Sequence, residues 1–224
     1  MYQLMRIGSR QWQNLIIEGA QKLGINADES TAALFAVHAL ELVEWNRKIN
    51  LTSITLPRDI AVKHFVDSLA PAQFISKNAR LLDIGSGGGF PGIPLKILKP
   101  SLSVLLIDGV RKKANFLRHV LRTLKLESIK VLQVRAENLV EDPAFLNSFD
   151  VVISRALSSL DVFVDLAMPL LAAHGIMIAM KGEVNPSELE KLQSSAPPNR
   201  YHIEVKNYRL PSMDAPRSMV IIRR

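Results

Sequence analysis

The sequence predicts an α/β fold: a seven-stranded, mostly parallel, doubly wound sheet with an antiparallel final strand, preceded by a helical extension. Three observations carry that prediction. From Arg80 onward, short β-rich runs alternate with amphipathic segments, the order of a doubly wound sheet. The runs at 104–107 and 151–153 are continuously apolar, as strands covered by helices on both faces must be. The last two candidate strands are joined only by 210–217, too short for a parallel crossover, so they should pair as an antiparallel hairpin at the sheet edge.

Taken in order, the first 75 residues read as helical. The chain therefore divides into a helical extension, 1–75, and an α/β domain, 76–224, expected to pack as one compact unit. A first helix covers 11–23 and is stopped by Gly24. Asp28 can cap a longer helix to about Lys48, in which Phe35, His38, Leu42, Trp45 and Ile49 recur on one face. His38 within that apolar face reads as a packed histidine rather than a ligand. A third helix begins near Pro57, a favoured first-turn residue, and ends before Pro71. Strands are expected at 80–84, 103–107, 129–135, 150–154, 176–181, 203–208 and 218–222. Helices fall between them at 91–98, 110–124, 160–171 and 186–193.

Composition narrows the class. With 48% hydrophobic and 22% charged residues, the chain has the balance of a soluble globular protein. No apolar run approaches the roughly 20 residues that span a bilayer, and residues 1–7 lack a signal-peptide layout. The absence of cysteine excludes disulfides and thiolate–metal sites and fits a reducing compartment. A cytoplasmic enzyme with no membrane and no metal is the expectation. The net charge of +7 and the pI near 9.8 favour polyanionic partners.

Residues 81–95 carry the most chemistry. An apolar run ends in Asp83, and Gly85, Gly87 and Gly89 then alternate before Pro91 and Pro94 open a helix. Glycines so spaced allow positive φ and bring backbone N–H groups close to a ligand. The dinucleotide fingerprint G-x-G-x-x-G/A fails from Gly85, because Phe90 stands at its last position. It is met from Gly87 through Gly89 and Gly92. The competing pattern D-x-G-x-G-x-G is filled by Asp83, Gly85, Gly87 and Gly89. Together with the closing hairpin, it resembles the S-adenosylmethionine-dependent methyltransferases. Asp83 then either meets the cofactor's amino group or orders the loop by accepting backbone N–H bonds. Asp108, at the end of the second strand, suits a ribose hydroxyl in either class of cofactor. Ala136 and Glu137 lie where an adenine edge would be read, although Glu137 could equally be a solvated loop acid.

The fourth strand leads into Ser154-Arg155-Ala156. This is neither the Asn/Asp-Pro-Pro-Tyr/Phe run used on exocyclic amines nor a catalytic cysteine for ring carbons. A ring nitrogen with a free lone pair, such as guanine N7, remains. Such a target needs positioning and no general base, so no obligatory catalytic residue is expected. The helix after Asp108 sets an apolar stripe (Ala114, Leu117, Leu121, Leu124) against Arg111, Arg118, Arg122 and Lys125, with Lys112 and Lys113 close by. No acid interrupts that basic edge, which suits RNA phosphates. Arg47, Lys48, Arg223 and Arg224 add charge.

The segments 45–54 (Trp-Asn-Arg-Lys-Ile-Asn-Leu-Thr-Ser-Ile), 64–69 (His-Phe-Val-Asp-Ser-Leu), 85–94, 154–156 and 180–182 (Met-Lys-Gly) together resemble bacterial 16S ribosomal RNA methyltransferase G, the glucose-inhibited division protein B family. The resemblance covers nearly the whole chain. It implies a class I methyltransferase fold and methylation of guanine N7 in the decoding region of 16S rRNA. The methyl donor would be S-adenosylmethionine, leaving S-adenosylhomocysteine, and the substrate 16S rRNA or the small ribosomal subunit. It also implies cofactor contacts at Gly85, Phe90, Ala136, Glu137 and Arg155. Asn46, Asn50, His64, Asp67, Ser68 and Lys181 would then surround the target base. Asn46 and Asn50 could instead cap a helix end, and His64 could simply pair with Asp67. The basic surface and modest size suggest a monomer. A dinucleotide-dependent oxidoreductase and a non-catalytic RNA-binding module are the competing readings.

Overall fold

The computed structural model describes residues 5–155, 159–195 and 201–223, so Ala156 and Arg224 lie outside the described residues. Helix α1 (Arg10–Lys22) starts at Ser9, whose Oγ accepts the Trp12 N–H, and buries Trp12, Ile16 and Ala20. Helix α2 (Glu29–Ile49) is capped by Asp28, which accepts the Thr31 N–H at 2.8 Å. It ends at Asn50 in the left-handed region (φ 48°). Phe35, His38 and Leu42 are buried along it, and Trp45 and Ile49 are half-buried.

The third helical run is less regular than its sequence suggests. It opens as α3 (Pro57–Asp59), widens into a π-helical stretch (Ile60–Val66), narrows to α4 (Asp67–Leu69) and tightens to a 3₁₀ turn (Ala70–Phe74). Pro71 does not stop the run, because it falls in the first turn of the 3₁₀ segment, where its missing N–H is not needed.

The sheet contains β1 (Arg80–Ile84), β2 (Ser103–Ile107), β3 (Ile129–Leu132), β4 (Phe149–Arg155), β5 (Leu171–Lys181), β6 (His202–Leu210) and β7 (Ala215–Arg223), in the order β3-β2-β1-β4-β5-β7-β6. Strand β7 is antiparallel to both neighbours, as the short 210–217 connection requires. Between strands lie α5 (Gly92–Leu98), α6 (Arg111–Thr123), α7 (Ala136–Leu139), α8 (Leu160–Ala167) and α9 (Pro186–Ser195).

Several boundaries depart from expectation: β6 runs to Leu210 and β7 begins at Ala215, which shortens the hairpin connection to 211–214. Strand β3 stops at Leu132, and the expected loop at 135–138 is instead the short helix α7, which buries Ala136 and Leu139. Helix α8 ends at Ala167 in a 3₁₀ turn containing Pro169, so Leu171 is the first residue of β5 rather than the last of a helix.

Alternate strand residues feed two apolar layers. Leu81, Val104, Leu106, Val151, Ile153 and Ile178 pack toward α1, α2, the π stretch, α5 and α6. Leu82, Ile84, Leu105, Val152 and Met177 pack toward α7, α8 and α9. The helices before residue 75 therefore form one cover of the sheet. Phe65 joins them, with Trp12 edge-on at 5.7 Å and Phe35 stacked at 4.9 Å. The Trp12 indole also donates to the Pro57 carbonyl at 2.9 Å. Trp12→Ala should accordingly cost about 3–5 kcal/mol and lower the midpoint of one cooperative transition in calorimetry. Two transitions, of which only one moves, would make the helices an independent unit.

Candidate functional site

The glycine loop leaves β1 and returns over its own strand end. Gly85, Gly87 and Gly89 have φ of 71°, 55° and 89°, the left-handed region that side chains resist. The N–H groups of Gly85 and Ser86 both donate to the Ile107 carbonyl at 3.0 Å. Two carboxylates hold the rest. Asp83 is fully buried, and its Oδ2 accepts the Gly92 N–H at 2.9 Å beneath the loop. Asp108 accepts the N–H groups of Gly87 (3.0 Å) and Val110 (2.8 Å). Asp83 is thus a loop-ordering carboxylate. Burial pushes its pKa up to about 7, against the bond from Gly92, and its Oδ1 has no partner among the described residues.

Two cavities open at the carboxyl ends of the strands. The first, about 250 Å³, gathers Gly85, Asp108, Ala136 and Glu137 with Arg135 and Leu166. It brings together residues from three separate strand ends. A Cβ built on Gly85 would meet nothing within 4 Å, so the loop backbone faces open space there. Ala136 is buried, and Glu137 is exposed on the first turn of α7.

The second cavity, about 540 Å³, is lined by Ile54, Lys63, His64, Asp67, Arg155, Met180, Lys181, Gly182, Glu183 and Arg217. His64 comes from the π stretch, a rare helical form that often marks functional sites. Its Nδ1 accepts from Arg155 Nη2 at 3.1 Å, so its Nε2–H donates to Thr52 Oγ1 at 2.9 Å. Burial and, after it, the Arg155 charge hold the imidazole neutral, with its pKa far below the usual histidine range. Arg155 also donates to the Lys63 carbonyl at 2.9 Å and lies 3.9 Å from Asp67. Asp67 accepts from Tyr208 Oη at 2.8 Å and from Arg217 Nε at 3.4 Å. Burial, then Asp67, drive the Tyr208 pKa upward. Lys181 donates to both oxygens of Glu188, at 2.6 and 2.9 Å.

The expected residues divide accordingly. His64, Asp67 and Lys181 line the larger cavity, while Asn46, Asn50 and Ser68 do not. Asn46 accepts the N–H groups of Leu51 (2.6 Å) and Thr52 (2.9 Å) and Asn50 ends α2, so both shape the loop that carries Thr52. Ser68 is buried and donates to the His64 carbonyl. Arg155 lines the larger cavity, not the smaller one. The Phe90 ring is 4% exposed, stacked on His38 (4.8 Å) and His64 (4.4 Å), with the Arg155 guanidinium 5.1 Å from its centre. The Phe90 ring thus lines neither cavity, and its neighbours His64 and Arg155 line the larger one. His38 is core: its Nε2–H donates to the Gly88 carbonyl at 2.8 Å, and burial lowers its pKa to about 4.

Sequence reasoning missed Tyr208, Arg217, Thr52 and Lys63. Tyr208 and Arg217 are paired across the closing hairpin, a register that no spacing rule reveals. The basic helix α6 buries Phe116 and Val120 beside Ala114 and Leu117. Arg111, Lys112, Arg122 and Lys125 are exposed, and Arg118 is half-exposed beside Asn115. Because α6 runs back along the sheet, Arg111 lies near the strand ends and Lys125 about 20 Å away. Among the described residues no helix is long and apolar enough to cross a membrane, and no cluster of three or more His, Asp or Glu could hold a metal ion.

A family model described as GidB, rRNA small subunit methyltransferase G, matches residues 32–215. The chain is 41% identical over 213 residues to a ribosomal RNA small subunit methyltransferase G of Geobacter metallireducens, covering 95% of this chain and 96% of the relative. It is 42% identical to that of Desulfitobacterium hafniense, covering 87% and 80%. Among solved structures, a SAM dependent methyltransferase from Aquifex aeolicus superposes with a TM-score of 0.56 at 15% identity, covering 73% of this chain and 92% of that one. That last likeness concerns the fold.

The buried Asp83 gives a signed pH dependence. Its folded pKa of about 7 exceeds the unfolded value of about 3.9, so its stabilising contribution is complete below about pH 4 and is lost as pH rises through 7. The slope is at most about 1.4 kcal/mol per pH unit. His38 and His64, both lowered, act oppositely: their contribution is present above about 6.5 and fades on acidification. Denaturant titrations of the protein and of Asp83→Asn between pH 5 and 8 should therefore diverge, with the variant gaining relative stability as pH rises. Parallel curves would refute the assignment.

Proposed function

The chain belongs to the GidB family, rRNA small subunit methyltransferase G, and we propose that it transfers a methyl group from S-adenosylmethionine to N7 of a guanine in the decoding region of 16S rRNA. The carrying observation is that two differently furnished cavities open on neighbouring parallel strands, one after β1 and β2 and one at the ends of β4 and β5. We assign the smaller to the cofactor and the larger to the target base.

The smaller cavity fits S-adenosylmethionine. Gly85 leaves room for close approach, and Asp108 and Glu137 offer acceptors for a ribose diol and an adenine amine. The start of α5 does not offer a pyrophosphate site. The Gly92 N–H is taken by Asp83, Ile93 donates to Gly89, and Phe90 donates to Ser86. A dinucleotide needs such donors free at the helix N-terminus, which disfavours the oxidoreductase reading. When bound, S-adenosylmethionine supplies a sulfonium-activated methyl group to the N7 lone pair, leaving S-adenosylhomocysteine and a cationic base.

The residues of the larger cavity position rather than exchange protons. His64 has both ring nitrogens engaged and Asp67 is held by Tyr208 and Arg217, so neither is free as a base. Arg155 spends its guanidinium on Lys63 and His64. It is therefore not free for the bidentate contact to O6 and N7 by which arginine usually reads guanine, a contact that would block the nucleophile. The exposed basic residues of α6 suit phosphates of the same rRNA. We place the enzyme in the cytoplasm, as a monomer acting on 16S rRNA or the small subunit.

Two glycine substitutions separate the cavities. Gly85→Ala forces a side chain into φ 71° at about 1–2 kcal/mol. It should weaken S-adenosylmethionine binding roughly ten-fold in calorimetry while leaving rRNA binding intact. Gly182 has no atom near a built Cβ and no positive φ, so Gly182→Leu should fold normally and obstruct the base cavity. The expected loss is on the order of 100-fold in kcat/KM for 16S rRNA, with cofactor affinity unchanged. Methylation by the unaltered protein, mapped by cleavage specific to N7-methylguanosine, tests the chemistry. Label on an exocyclic amine or a ribose hydroxyl would sink it.

A further inference from the structure

A third cavity, about 630 Å³, lies beside the larger one and shares Glu183 and Arg217 with it. It runs between the loop before α9 and the β6–β7 hairpin, and its remaining polar lining includes Asn185, Asn207, Arg209 and Ser218. We propose that this groove holds the single-stranded rRNA segment adjoining the target guanine, with a phosphate on Arg209. The inference rests on the methyltransferase reading above.

Continuity is the first argument: a strand whose base occupies the larger cavity must leave it along a wall, and the Arg217 wall opens directly into the groove. The lining is the second. Ser218 Oγ donates to Asn207 Oδ1 at 2.8 Å, and Ser187 N–H donates to Asn185 Oδ1 at 3.1 Å. Both amides therefore keep their NH₂ donors for sugar and phosphate oxygens. Glu183, an exposed acceptor on the shared rim, suits base amino groups instead.

The third argument is the state of Arg209. It pairs with Asp214 of the hairpin turn through Nε–Oδ1 and through Nη2–Oδ2 at 2.7 Å, and the two side chains are 62% and 77% exposed. Nη2 also reaches the Asp214 carbonyl, but both side chains are exposed, so salt screens the pair. A phosphate can displace the carboxylate at small cost, and the guanidinium geometry suits either. The basic helix α6 cannot serve the adjoining segment. It covers the β2–β3 side, and β2 lies four strand spacings from β7 in the sheet order, about 19 Å.

The test uses Arg209→Gln and Asp214→Ala, which break the same ion pair with opposite consequences for RNA. Labelled 16S rRNA binding is followed against salt, with KM for rRNA and the S-adenosylmethionine Kd measured alongside. Arg209→Gln should raise the rRNA Kd and KM about ten-fold and reduce the slope of log K against log salt by about one, with cofactor Kd unchanged. Asp214→Ala removes the competing carboxylate and leaves Arg209 only the main-chain carbonyl of that position, so it should lower both several-fold. If both variants weaken rRNA binding alike with lowered melting temperatures, the pair only holds the turn and the proposal falls. It also falls if neither changes binding while Arg118→Gln with Arg122→Gln does. Absence of methyl transfer to rRNA by the unaltered protein would instead overturn the functional reading, and the binding arm still judges the groove.

Discussion

The site depends first on the bond from the Gly92 N–H to the buried carboxylate of Asp83. Gly85 and Gly89 donate to backbone carbonyls, whereas the N–H groups of Gly87 and of Gly92, the first residue of α5, go to side chains, so an acceptor must be built in. Asp83 supplies it from below and Asp108 from the side, at Gly87. The Gly92 position leaves no slack: a Cβ there would stand 2.7 Å from Asp83 Oδ2 and 2.4 Å from Leu106 Cδ2. Burial raises the Asp83 pKa to about 7, so the loop keeps its shape at an electrostatic cost. The other Asp83 oxygen is buried without a partner among the described residues, and the acceptors that line the smaller cavity, Asp108 and Glu137, come from the next two strand ends.

A second constraint ties the helical cover to the sheet. Arg155, at the end of β4, reaches the Lys63 carbonyl and His64 on the π stretch, while Asp67 on α4 reaches Tyr208 and Arg217 on the closing hairpin. A buried ion pair seldom stabilises a fold outright, since desolvation offsets its attraction. Here every member has further hydrogen bonds, which is the condition under which such a network fixes geometry. Its consequence is spatial: the wall of the larger cavity is assembled from the π stretch, α4, β4, β5 and β7, which only tertiary packing brings together.

Much of the fold was legible because its signals are local. The Asp28 cap, the apolar runs at 104–107 and 151–153, and the short 210–217 connection each depend on neighbours in sequence, and each element appears where they place it. Residues 133–135 and Leu171 were misassigned because the start of α7 after Arg135 and the turn at Pro169 overrode propensity at element ends. The site was legible in part. Asp83, Gly85, Gly87 and Gly89 are a contiguous motif whose positive φ values follow from spacing alone. Phe90 was read as a ligand contact because it sits in that motif, yet His38 and His64 enclose its ring. Tyr208 and Arg217 were invisible because their partner lies about 140–150 positions away in sequence and their pairing is set by hairpin register.

The electrostatics of the larger cavity follow from how its cations are paired. Methyl transfer to a neutral ring nitrogen moves a positive charge from sulfur to the base, so unpaired cations around the base would oppose the product. Lys63, Arg155, Lys181 and Arg217 all line that cavity. Lys181 is matched by Glu188, Lys63 by Asp59, and both arginines by Asp67. Three carboxylates thereby offset most of the charge of these four cations close to its source, while the cations of α6 and Arg209 sit outside the cavity. Basicity of the surface and near-neutrality of the reaction cavity are separate requirements, and the same chain meets both by pairing cations inside and exposing them outside. Neutral His64 completes the separation. An imidazolium stacked on Phe90 would add a further positive charge to this lining, and burial beside Arg155 disfavours it.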